Sequence, residues 1–245
     1  MSDHRQPGVS RGVNVEAGQH FPNGILRLAK DIDVHRTVDL KVLYFGTPVV
    51  LLSTRNPDGT AHLAPMSSAW WLGSTAVLGL GNTGHTAANL LREREVVINL
   101  VPSTMADAVD RLAMTTGAEH VPPRKAAMGY RHEAGKFALA GLTPQVSEVV
   151  APPRAAECPI QLECVLQQAH TIGTPEPSAT TFVVDVVRAH VAEELIIPGT
   201  DYVDPVGWDP LIMKFCEFFG GGVNVRPSTL AEGWRMPHKP ALSNA

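Results

Sequence analysis

Between Pro48 and Pro65 the chain is written to fold back on itself. Pro48-Val49-Val50-Leu51-Leu52-Ser53-Thr54 is a β-branched apolar run, Asn56-Pro57-Asp58-Gly59 is a turn, and Thr60-Ala61-His62-Leu63-Ala64-Pro65 leads back. Strand, Asp-Gly turn and strand predict a β-hairpin. A second pair follows, Ser67 to Leu72 and Thr75 to Leu80 about the turn Gly73-Ser74. Strands that come singly and in hairpins, without βαβ alternation, argue against a Rossmann sheet. They predict a mainly β, barrel-like domain of closed or nearly closed strands with a few short helices. The 21 Gly and 20 Pro, against 6% aromatics, fit a chain with many turns.

Around this nucleus the 245 residues divide into three parts. Residues 1–36 read as a polar N-terminal arm in which Gly24 to Ala29 forms one short helix or strand. Residues 37–195 form the barrel. Within it, Thr86 to Arg94 predicts a short helix, Glu95 to Val101 a buried strand, and Ser103 the cap of a helix reaching about Ala113. Residues 115–135 are a long polar connection. Phe137 to Pro144 opens a second β-rich half with main strands Ile160 to Ala169 and Thr180 to Ala192. Residues 196–245 are a C-terminal extension packing on the barrel or on its functional site.

Composition removes several function classes. Twenty Lys and Arg against 24 Asp and Glu leave a net charge of −4, so there is no basic excess to neutralise a phosphate backbone, and nucleic-acid binding is not expected. No run of 18 apolar residues predicts a membrane span, and the polar N-terminus shows no secretory signal. Cys158, Cys164 and Cys216 form no C-x-x-C, which suggests reduced thiols in a cytoplasm. Ten histidines contain no H-E-x-x-H, so no metal site is expected.

Two segments are candidates for chemistry. Gly79-Leu80-Gly81-Asn82-Thr83-Gly84-His85-Thr86 joins a strand to a helix start. Free N–H groups there attract an anion, and glycines let a phosphate approach the backbone; the plain alternative is a turn with a Thr cap. Ala64-Pro65-Met66-Ser67-Ser68-Ala69-Trp70-Trp71 places a proline in mid-sheet, so the strand bends. Its freed N–H groups can face a flat polar ring, or the segment is a kinked edge strand. The tail from Trp208 to Gly222 carries three phenylalanines in five positions. It reads as a lid over the site or as a C-terminal helix stopped by glycine, with Cys216 a small hydrophobe rather than a nucleophile. His120, His132, His170 and His190 have no visible partners, and His120 is the first to test.

In this order the segments resemble the flavin reductase-like family of FMN-binding split barrels, over roughly residues 40–195. The marks are Pro65-Met66-Ser67-Ser68, Thr83 to Leu90, Val96 to Val101, Phe137 to Pro144, and the run from Val149 to Arg154 with Cys158 to Cys164. The resemblance implies a homodimer with FMN at the subunit interface. It assigns ring contacts to Pro65, Met66, Ser67 and Ser68, and phosphate contacts to Asn82, Thr83, His85 and Thr86, with Asn99 a further cofactor contact. No protein acid or base is assigned to catalysis. The apolar strands 48–54 and 96–101 need covering, which also favours a second copy.

Two departures from the family pattern stand out. His62 replaces an Asn three residues before the proline, and Gly84-His85 replaces the Lys, Arg or Asp of the phosphate loop. The expectation is that a protonated His85 takes the place of a permanent cation. The activity implied is an NAD(P)H:flavin reductase, whose reduced flavin could supply a partner monooxygenase. The alternatives are an FMN-bound enzyme acting on a small organic substrate, and a non-enzymatic flavin or haem carrier.

Overall fold

The computed structural model of the protein describes residues 35–173, 178–226, 228–234 and 236–237. It divides into a unit ending at Lys41 and a compact unit beginning at Val42. Nearly all of the predicted N-terminal arm, including Gly24 to Ala29, lies outside the described residues; residues 35–41 form no helix or strand.

In the second unit the elements run β1 (Phe45–Pro48), β2 (Val50–Arg55), β3 (Ala61–Met66), β4 (Ala69–Leu72), β5 (Thr75–Gly81), α1 (His85–Glu93), β6 (Glu95–Leu100) and α2 (Ala106–Leu112). There follow β7 (Thr115–Thr116), α3 (Pro123–Ala127), β8 (Arg131–His132), α4 (Lys136–Ala140), β9 (Pro144–Gln145) and β10 (Arg154–Ala155). The chain continues with β11 (Ile160–Ile172), β12 (Ala179–Val191), β13 (Ile212–Lys214), β14 (Glu217–Phe219) and α5 (Thr229–Gly233).

Seven strands form one antiparallel sheet in the order β3-β2-β6-β11-β12-β5-β4. Its two outermost strands are neighbours in sequence, linked by Ser67 and Ser68 alone. A sheet whose opposite edges are joined by two residues must curl back on itself, and the Ser68 carbonyl accepts the Gly79 N–H at 2.8 Å where it does so. A side chain at position 79 would bring its Cβ to 3.2 Å from that of Ser68, so glycine permits the close crossing.

Successive residues from Val49 into β2 enter different cores. Val50 and Leu52 pack with Leu78, Ile98, Leu166 and Phe182, while Val49 and Leu51 pack with Leu63, Val109, Leu112 and Phe137. That is why β2 reads as an unbroken apolar run: both its faces are covered. Strands 48–54 and 96–101 are therefore buried by their own chain and do not need the second copy expected to cover them.

Three local expectations are corrected. The second β-rich half opens on a helix: Phe137 and Ala140, three apart, share one core, and the helix they build ends at Gly141 with φ 69°. Ser103 does not cap α2 with its side chain. It opens a 3₁₀ turn, and its hydroxyl donates instead to the Asp209 carboxylate. The aromatic tail is not a helix but the hairpin β13–β14, because the edge of β1 offers it backbone partners, Pro48 facing Ile212 and Phe45 facing Lys214. Its turn places Phe215 and Cys216 at φ 47° and 71°, which leaves Cys216 exposed rather than packed.

Candidate functional site

The ends of β3 and β5, the start of α1 and the segment from α2 to α4 surround a cavity of about 230 Å³. Pro65 and Met66 line it from β3, and Thr83, Gly84, His85 and Thr86 from the loop and first turn of α1. The two segments singled out in sequence thus meet. Ser67 is buried and Ser68 exposed where β3 passes into β4, and neither lines the cavity. Asn82 stands beside it, accepting the Thr180 hydroxyl at 2.7 Å.

Asn99 lies elsewhere. Its amide donates to the Leu51 carbonyl and the Ser53 hydroxyl, both at 3.0 Å, and accepts the Ala155 N–H at 2.8 Å. Both N–H groups of the amide and one acceptor position are spent on the sheet. No residue of the aromatic tail lines the cavity either.

Gly84 is the N-cap residue of α1 and there is no side-chain cap, which removes the plain reading of a Thr cap. The first-turn N–H groups are left without an intrahelical partner. A Cβ at Gly84 would sit 2.8 Å from the Gly81 carbonyl, so the turn is closed by glycine.

Two histidines stack edge to face at this turn, with His62 and His85 ring centroids 4.8 Å apart. His62 is fully buried with Nε2 3.1 Å from the Thr86 hydroxyl. Burial, together with the charges of Lys136, His85 and Lys125, drives its pKa down to about 3, so its ring is neutral. His85 donates from Nε2 to the Asn56 side-chain carbonyl at 2.8 Å. Its pKa is lowered too, by burial first and then by Lys136 and Arg92. The expectation that His85 stands in for a permanent cation concerns a ring beside a bound phosphate; in the free protein its surroundings favour the uncharged ring. Gly117 presses on both rings; a Cβ there would lie 2.5 Å from His85 Cδ2 and 2.7 Å from His62 Nδ1.

Two lysines come from a part of the chain that sequence reading passed over. Lys125 of α3 and Lys136, the first residue of α4, both line the cavity. Lys125 lies over the Tyr130 ring, with Nζ 5.6 Å from the centroid. Lys136 is 2% exposed, and its ammonium makes no hydrogen bond or ion pair with any described residue. Burial, then the charge of Lys125, lowers its pKa to about 8. The signal that could have found it is its place directly before the apolar run Phe137 to Leu142, which draws the helix start inward.

Among the predicted lone histidines, His190 does have a partner, the buried Glu163 carboxylate at 2.7 Å, and His170 meets Gln168 at 2.9 Å. His120 and His132 are exposed. Among the described residues no group of three or more His, Cys, Asp or Glu could hold a metal, and no helix is long and apolar enough to cross a membrane.

A curled antiparallel sheet with a cavity lined by two lysines at a strand–helix loop defines a split-barrel fold. Residues 42–215 match the flavin reductase like domain, and the chain belongs to that family, one of flavin-dependent oxidoreductases. A non-enzymatic carrier is thereby set aside. The uncharacterised protein YdfE of Bacillus subtilis (strain 168) is 39% identical over 186 residues, 76% of this chain and 88% of its own. The fold is shared with flavoredoxin of Desulfovibrio vulgaris (Miyazaki F), at 20% identity and TM-score 0.65 over 81% of this chain and all of that one. It is shared also with nitrilotriacetate monooxygenase component B from Bacillus cereus, at 23% identity and TM-score 0.62 over 75% of this chain and 88% of that one.

Proposed function

We propose that this protein is an NAD(P)H:flavin reductase of the cytoplasm that takes FMN into the cavity between β3, α1 and α4. A mononucleotide flavin has a flat, largely apolar ring and a dianionic end. The cavity offers matter for both: Pro65, Met66 and Leu80 on the one hand, and Lys125, Lys136, Thr83 and the uncapped turn of α1 on the other. The observation that carries the reading is that Lys125 and Lys136 both line a cavity to which no aspartate or glutamate contributes, so an anion is the charge that the cavity lacks.

When bound, the flavin supplies the two-electron chemistry, accepting hydride from a nicotinamide. This chain's residues hold and orient it. Pro65 and Met66 bound the ring, with the Ser67-Ser68 link beside them; Thr83, Thr86 and the N–H groups of α1 donate to the phosphate, whose charge the lysines balance. Asn99 is left to the sheet. At about 230 Å³ the cavity is smaller than a site that encloses a drug-sized ligand. It encloses one end of the flavin, and a second copy of the chain completes the rest, which supports a homodimer. The likeness to a monooxygenase component supports delivery of reduced flavin to a partner oxygenase.

The test is a titration of flavin fluorescence with the purified protein, followed by NADH and NADPH oxidation with FMN varied. The expected outcome is saturable FMN binding, and FMN behaving kinetically as a second substrate. Absence of saturable binding overturns the reading. Turnover that ignores added FMN but depends on a small organic acceptor favours a resident flavin acting on that acceptor.

A further inference from the structure

We infer that His85 is a specificity residue of the cavity, accepting at its ring Nδ1 a hydrogen bond from a hydroxyl of the flavin's polyol chain, and that Asn56 positions it to do so. The inference rests on the flavin reading above. It is carried by a hydrogen-bond chain whose direction is fixed from both ends. At one end the Asp58 carboxylate, held below the ordinary carboxylate range by its bonds to Thr60, can only accept, so the Thr60 hydroxyl gives it its one proton at 2.7 Å. The Thr60 oxygen must then accept from Asn56, whose Nδ2 lies 3.0 Å away. At the other end the Arg92 guanidinium can only donate, and it donates to Asn89 Oδ1 at 3.0 Å. Asn89 therefore turns its Nδ2 to the Thr54 hydroxyl and to Asn56 Oδ1, each at 3.1 Å. Both ends agree on the middle: the atom that Asn56 presents to His85 Nε2, at 2.8 Å, is a carbonyl oxygen.

A carbonyl oxygen can only accept, so Nε2 carries a proton. The neutral ring has no second one, and its Nδ1 is a bare lone pair. Burial, then the charges of Lys136, Arg92, His132 and Lys125, keeps the ring neutral. Among the described residues nothing donates to Nδ1, and it is not one of the buried side-chain atoms that lack a partner, so it keeps an open side. The ring lines the cavity, and also a groove between Asn56–Thr60 and residues 117–119. A bare lone pair repels the oxygen of a phosphate dianion and attracts a donor. His85 is the first residue of α1, whose N–H groups are assigned the phosphate above. The ligand atoms next to that phosphate are the hydroxyls of the polyol chain, and these are donors. A protonated ring on the phosphate would read a different part of the same ligand, which makes the two roles separable.

The experiment measures dissociation constants at pH 7 for three probes: FMN, riboflavin, which keeps the polyol without the phosphate, and lumiflavin, which has the ring and neither. The wild type is expected to bind lumiflavin more weakly than riboflavin. His85→Leu should weaken FMN and riboflavin alike, by roughly 3- to 10-fold, and leave lumiflavin unchanged. A loss confined to FMN gives His85 to the phosphate and overturns the inference; so does a loss that lumiflavin shares, which is that of a structural residue, or no loss at all. Nitrogen NMR, with the His85 signals identified by their absence from His85→Leu, should show Nε2 protonated and Nδ1 bare in the wild type, and a mixture of the two tautomers in Asn56→Leu. A wild-type ring protonated at Nδ1, or a tautomer indifferent to Asn56, overturns the inference. A wild type that binds lumiflavin as tightly as riboflavin also overturns it and leaves the flavin reading intact, whereas one that binds none of the three removes the flavin reading itself. The wild-type affinities stand even if a variant fails to fold.

Discussion

The protein buries two ionisable side chains in opposite ways. Glu163, in β11, has a side chain with no exposed surface, and every demand of its carboxylate is met. It accepts the N–H groups of Glu148, Val149 and Val150 at 2.9, 2.7 and 3.2 Å and the ring of His190 at 2.7 Å, with the Arg154 guanidinium 3.8 Å away. Burial pushes its pKa up, yet the two nearest amides and His190 outweigh that and hold it below the ordinary carboxylate range. Lys136, 2% exposed, feels the pull of Glu133, but burial and the charge of Lys125 outweigh it. A charge that is satisfied from within fastens the fold, here the loop 146–155 onto β11. A charge left unsatisfied costs stability until something from outside supplies its complement.

The largest expected effect tests the first half of that contrast. Glu163→Ala strands three amides and a histidine, and should destabilise the protein by about 3–5 kcal/mol in urea unfolding. Because the folded-state pKa is depressed, the stabilisation from Glu163 is present above its unfolded value near 4.5 and is lost as pH falls through the lower folded value. A Glu163→Gln protein should lack that acid-side loss. An unchanged acid profile would mean that the carboxylate is not the fastener.

The second prediction has the opposite sign. Lys136→Met keeps the length and apolar stem while deleting the disfavoured charge, and should stabilise the ligand-free protein by roughly 1–3 kcal/mol at pH 7. In the wild type, stability should rise between about pH 8 and 10.5, where the unfolded chain still holds a proton that the folded chain has released; the variant should lack that rise. A loss of stability in the variant would show that the pull of Glu133 prevails. The smallest effect is at the β13–β14 turn, where Cys216→Gly should gain about 1 kcal/mol by relieving a side chain at φ 71°. Thermal unfolding that leaves the midpoint unmoved would mean that the packing of Phe215 against Phe45 already sets the turn's geometry.

The hairpins β2–β3 and β4–β5 and the strand–helix–strand run to β6 were legible because turn residues and apolar runs act locally. Half of the cavity was legible for the same reason: Pro65, Met66 and Thr83 to Thr86 lie where a strand bends and a helix begins. The other half was not. Lys125 and Lys136 sit in or beside a polar stretch, and a lysine drawn inward carries the same letter as one in water. His190 was read as partnerless because its carboxylate lies on the neighbouring strand, 27 positions back. The tail was misread because nothing in it announces β1; the pairing joins segments from opposite ends of the domain.

That last pairing also sets an order of assembly. Phe45 and Lys214 face each other across 169 residues of chain, so at a translation rate of about 5–20 residues per second β1 leaves the ribosome roughly 8–35 s before its partner exists. Through that interval its edge is a template for any passing strand. The strand meets the hazard with its own sequence: it is four residues long, its register is broken between Phe45 and Thr47, Gly46 holds φ 110°, and it closes on Pro48. Shortness, a bulge and a proline are the means by which an unpaired edge avoids aggregation, and here they guard a nascent chain until its last strand arrives.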